Sequence, residues 1–154
     1  MMISNCLVTN EYYVTLWRNG AVTIGWTDAL FPLSNQMKNL PAASAVICTD
    51  WGIENSLRLM NGGTLPLGTQ AGRIAQSDWS DKDRAELQKA IAKPGTVFIG
   101  HTGEREYFRG NREKMLNFAK QSGFNVNLIA SVPDSFGRPT FEIFRFAKSS
   151  VSTQ

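Results

Sequence analysis

The chain has 154 residues, of which 42% are hydrophobic and 19% charged, with a formal charge of +3. Those values describe one globular domain long enough to bury a core, and they exclude a highly charged, unfolded chain. Lys and Arg are scattered, with no run of five or six that would mark a nucleic-acid arm.

No stretch approaches the roughly 20 apolar residues that a bilayer crossing needs. The start, MMISNCLV, lacks the basic and long apolar regions of a secretory leader. With His101 alone and no CxxC or HExxH, a His/Cys metal site is not expected, and no cofactor is implied. A hard cation on carboxylates stays open. Cys48, within SAVICTDWG, reads as a small buried hydrophobe. Nothing in the spacing requires a disulfide to Cys6.

Residues 1–25 read as a strand or hairpin segment. EYYVTLWRNG is aromatic and β-branched and ends on Asn19-Gly20, with AVTIGW as its partner. A single α/β domain over residues 26–147 follows. In WTDALFPLSNQMKNLP, Leu30, Leu33, Met37 and Leu40 recur at helical spacing, Thr27 or Asp28 can cap the start, and Pro41 ends it. SAVICTD is a continuous apolar run suited to a parallel strand covered on both faces. The helix after it places Ile53, Leu57 and Met60 on one face and closes at Gly62 or Gly63.

Residues 64–79 show no period and read as a connection, lid or binding loop. Ser80 and Asp83 form a capping-box pattern for a helix through Ala92, closed by Pro94-Gly95. TVFIG is a second buried strand. Beyond HTGEREYFRG, Gly110 or Asn111 caps a helix burying Met115, Phe118 and Ala119. FNVNLIASV, the turn PDSFGRP and TFEIFRFA make a terminal antiparallel hairpin, with residues 148–154 as a disordered tail. Strands alternating with helices predict an α/β fold: a three-layer sandwich with a mostly parallel, Rossmann-like sheet.

In such sheets ligands bind beyond the carboxyl ends of the parallel strands. Asp50-Trp51-Gly52 follows the first strand, and His101-Thr102-Gly103-Glu104 the second. If the two strands are neighbours, Asp50, His101 and Glu104 converge, and an Asp orienting a His is a serviceable acid–base pair. The helix beginning at Gly52 would turn free N–H groups toward an anion. Plainer readings compete: Asp50 as a helix cap, Trp51 as packing, His101 as a hydrogen-bonded structural group, and residues 104–106 as a solvated charged turn. GxGxxG, GxxxxGK[ST] and GxSxG are all absent. That disfavours dinucleotide, P-loop and elbow-hydrolase sites, and it weakens a methyltransferase reading despite the terminal hairpin.

Three stretches carry a resemblance: GWTDALFPLSNQMKNLP, DWGIENSLRLMNGG, and the run from FIGHTGEREYFRG through PDSFGRPTFEIFRF. Across Trp26 to Phe146 they resemble the soluble C-terminal region of bacterial membrane glycosyltransferases similar to protein O-mannosyltransferases, which use polyprenyl-phosphate sugars. The resemblance implies an extracytoplasmic accessory domain that shields the active-site mouth or holds the acceptor. Its partners would be the membrane-embedded catalytic region or the acceptor substrate. That family's catalytic acid lies between membrane helices, so no catalytic residue maps here. Asp50, Trp51, Gly52, His101, Thr102 and Glu104 are then crevice residues rather than catalysts. The competing expectation is a stand-alone cytoplasmic protein that binds a small anion or works through Asp50 and His101, which a start at Met1-Met2 and the lack of membrane helices would suit.

Overall fold

The computed structural model describes residues 6–7, 9–11, 13–14, 27–40 and 43–149. After the N-terminal segment the elements are α1 (Leu30–Asn39), β1 (Ala45–Cys48), α2 (Ile53–Met60), β2 (Leu67–Thr69), α3 (Ala71–Ile74), α4 (Asp81–Ala92) and β3 (Thr96–His101). A single 3-10 turn (Gly103–Arg105), α5 (Asn111–Gln121), β4 (Phe124–Pro133) and β5 (Pro139–Lys148) complete the chain. No helix among the described residues is long and apolar enough to cross a membrane.

The five strands among the described residues form one sheet in the order β2-β1-β3-β5-β4. β1 pairs in parallel with both β2 and β3. β5 runs antiparallel to β3 on one side and to β4 on the other. The α/β expectation and the terminal hairpin therefore hold. The sheet itself is mixed, with two parallel and two antiparallel pairings, because β5 inserts between β3 and β4 instead of adding at the edge.

Helices cover both faces of the sheet. On one face α1 and α2 bring Leu33, Met37, Ile53 and Leu57 onto Val46, Cys48, Val97, Ile99 and Ile143. On the other, α4 and α5 bring Leu87, Ile91, Met115 and Phe118 onto Phe98 and Phe144. Adjacent strand residues thus feed opposite cores, which is why β3 is buried at all six positions and reads as an unbroken apolar run.

Four expectations need correction. Glu11, Tyr13 and Val14 are helical, not strand. Aromatic and β-branched content is a preference for pleated, half-buried surface, and Tyr13 here is 65% exposed. The rest of the proposed N-terminal hairpin lies outside the described residues. Residues 64–79 are not a structureless lid, for β2 adds to the sheet edge and α3 buries Ala71 and Ile74. Three- and four-residue elements are too short to display a period. Lys148, assigned to the tail, pairs with Phe124 at the end of β5. Finally, neither Thr27 nor Asp28 is the N-cap of α1, a position held by Ala29. Thr27 accepts a bond from the Ala29 N–H, and Asp28 reaches instead to the Ser135 N–H at 3.3 Å.

Other signals act as read. Ser80 and Asp83 form the capping box of α4. Cys6 and Cys48 are both free. Burial pushes the Cys48 thiol far above its ordinary pKa, which keeps it protonated and a poor nucleophile.

Candidate functional site

β1 and β3 are hydrogen-bonded neighbours, so Asp50 and His101, just past or at their carboxyl ends, come together. His101 Nδ1 lies 2.7 Å from Asp50 Oδ2. The chain then doubles back over the carboxylate. The N–H groups of Tyr107 and Phe108 donate to Oδ2 and Oδ1 at 2.7 and 3.0 Å, and the Trp51 N–H donates to Oδ1 at 2.8 Å. Each oxygen receives two donors, which fills the capacity of an ionised carboxylate. Burial alone would raise the Asp50 pKa, but His101 and the three backbone donors outweigh it and hold the group below the usual carboxylate range. An ionised Asp50 only accepts, so the His101 proton sits on Nδ1.

Two glycines shape the chain around the pair, one through its backbone conformation and one through close packing. Gly52 starts α2 with φ +82°, a left-handed value that side chains disfavour. A Cβ on Gly100 would stand 2.5 Å from Thr49 Oγ1, itself hydrogen-bonded to the Ile99 carbonyl. Asp50 is not the cap of α2, since its only bond there is to Trp51, ahead of the helix.

Trp51 is 51% exposed and Tyr107 50% exposed, and their rings stack 4.7 Å apart at 30°. Beside them opens a hollow of about 200 Å³ lined by Asp50, Gly52, Asn55, Thr69 and Phe108. His101 does not line it. The His101 ring borders a separate cavity of about 10 Å³, shared with Leu30, Ser56 and Phe141. Thr102 and Glu104 face a third depression, with Arg105 and Arg138, and Thr102 donates to the Pro139 carbonyl. The predicted crevice is thus divided. Asp50, Trp51, Gly52 and His101 meet, whereas Glu104 is exposed and takes no part in the Asp50 cluster.

Sequence reasoning missed Glu106, which is buried and not part of a solvated turn. Its carboxylate accepts from the Gly110 N–H at 2.7 Å and from the Arg112 N–H, satisfying the first turn of α5. Glu106→Ala is therefore expected to cost about 1–2 kcal/mol in urea unfolding. A loss of a few tenths would refute the capping role. Asn111 was considered as a cap but is buried, donating to the Thr49 and Ala71 carbonyls and tying α5 to β1 and α3. Asp134, also unforeseen, accepts from the Phe136 and Arg138 N–H groups and the Arg138 guanidinium, with Arg105 at 3.7 Å. No local pattern marks these roles, because every partner of Glu106 and Asp134 is a backbone group or an arginine brought in by loop geometry.

Among the described residues no group of three or more His, Cys, Asp or Glu could hold a metal ion. The Trp51–Tyr107 stack is an exposed aromatic surface with polar neighbours in Asn55 and Thr69. No protein-family model matches the chain, and no curated protein matches its sequence.

Proposed function

We propose that this chain is a non-catalytic accessory domain of a membrane glycosyltransferase that uses lipid-linked sugar donors. It holds a sugar-bearing molecule or the acceptor on the Trp51–Tyr107 platform. One observation carries the non-catalytic reading: every acceptor site of Asp50 is already filled from within the fold. A general base must reach a substrate proton, and this carboxylate has no lone pair left for one. Its work is to brace the turn that presents Tyr107 against Trp51.

The platform suits a sugar ring. Aromatic faces offer apolar contact at low entropic cost, and Asn55 and Thr69 line the adjoining hollow and supply polar groups. The glycosyltransferase part rests on the resemblance of Trp26 to Phe146. A Rossmann-like reading of the sheet rests on its parallel β2-β1-β3 half, at whose carboxyl ends the platform stands. The domain would then sit on the outer face of the cytoplasmic membrane, against its catalytic body.

Calorimetric titration with short mannose oligomers tests the platform. Trp51→Ala should weaken binding on the order of tenfold, about 1.4 kcal/mol, while its half-exposed position keeps the melting temperature within a few degrees. Undiminished binding in Trp51→Ala would overturn the site. For the parent enzyme, an immunoblot of fractionated source cells should give a larger band in membranes, and a soluble band near 17.1 kDa would reject it.

A second reading, a small enzyme built on Asp50 and His101, draws on the unassigned Nε2 of His101. The 10 Å³ cavity beside that ring has room for about one water and none for a substrate, so the geometry favours binding over catalysis.

A further inference from the structure

We infer that the outer edge of β4 is a pairing surface for a second copy of this chain, joining two sheets antiparallel about a two-fold axis near Val126. The sheet order leaves β2 and β4 as its edges among the described residues. An unpaired edge presents a row of free N–H and C=O groups, and proteins usually blunt it with short strands, charges, proline or bulges. β2 is blunted: it has three residues and follows Pro66.

β4 is treated differently. It runs for ten residues, FNVNLIASVP, without one ionisable side chain. Val126, Leu128 and Ile129 stand 48%, 55% and 37% exposed on it. Its irregularities fall between Leu128 and Ala130 and between Val132 and Pro133. The half from Phe124 to Leu128 pairs in unbroken register with β5, with no bulge to turn it away from another strand.

That half is self-complementary. A two-fold axis at Val126 sets Val126 opposite its own copy, Phe124 opposite Leu128, and Asn125 opposite Asn127. Apolar groups meet apolar groups, amides meet amides, and no like charges face each other. A different partner strand would need some charged or shaped feature on β4 to select it, and this strand carries none. Strand addition supplies main-chain hydrogen bonds, and the exposed Val126 and Leu128 side chains, which face Phe146 and Phe144 of β5 on one side, gain neighbours on the other.

Sedimentation equilibrium on the 154-residue chain tests the inference. The mass should rise with concentration from 17.1 kDa to twice that value. Val126→Lys and Leu128→Lys should each return it to the monomer with unchanged melting, since both side chains are half exposed. In parallel, amide exchange of residues 124–128 in the unmodified chain should slow as concentration increases. A monomer mass up to millimolar concentration overturns the proposal, as does a dimer that survives Val126→Lys. If the lysine variants do not fold, exchange at 124–128 that ignores concentration overturns it as well.

Discussion

Asp50→Ala should unfold at markedly lower denaturant concentration, with a loss of about 3–5 kcal/mol. The carboxylate is buried, and its removal strands the N–H groups of Tyr107 and Phe108 and leaves His101 Nδ1 unpaired. For a domain of this size that corresponds to a fall in melting temperature on the order of 10 °C. Asp50→Asn keeps the volume and one acceptor oxygen but sets an NH2 against existing donors, so it should lie between Ala and the unmodified chain. A loss below about 1 kcal/mol in Asp50→Ala would show that the bonds are not maintained in solution.

Acid should reveal the same group. The Asp50 pKa is lowered in the fold, as is that of Asp134, where burial is outweighed by the Arg138 and Phe136 N–H groups and the Arg138 guanidinium. A depressed carboxylate contributes stability above its unfolded value, about 3.9, and loses it as pH falls through the folded value. Unfolding free energy should therefore be insensitive to these groups at neutral pH and decline below about pH 4. In Asp50→Asn that decline should be shallower. An equally steep decline in the variant would assign it to other groups.

Phe98→Ala should cost about 3–5 kcal/mol in the same unfolding measurement. Phe98 is wholly buried in the middle of β3, with Phe144 stacked at 5.8 Å and Phe146 edge-on at 4.9 Å. Its loss opens a void among Leu87, Met115 and Phe118, which are anchored on two helices and cannot all close in. Phe98→Leu, which retains most of the volume, should cost less than half as much. Equal losses for the two variants would mean that ring geometry, not volume, holds this face together.

The helices and central strands were legible because their signals are local. Leu33 and Met37, Ile53 and Leu57, and Met115, Phe118 and Ala119 are buried as their spacing predicts. The Ser80–Asp83 box and the left-handed Gly62 and Gly63 lie where capping chemistry puts them. The candidate site was half legible. Strand ends mark Asp50 and His101, and a parallel β1–β3 pair makes them meet. Glu104 was misassigned because the chain turns away in a 3-10 turn after Thr102, leaving Glu106 two residues later to go inward.

What the sequence by itself determined is the four longer helices, the strands β1, β3, β4 and β5, the two-sided burial of β3, and the absence of a nucleotide-loop or elbow motif. Only the tertiary structure decided that β5 inserts beside β3 and that the Tyr107 and Phe108 amides close over Asp50. It likewise decided that β4 is left as a long uncharged edge. The reason is separation along the chain: Asp50 meets Tyr107 across 57 residues. Periodicity and capping act within a few turns, whereas strand order and such contacts depend on which buried faces fit together.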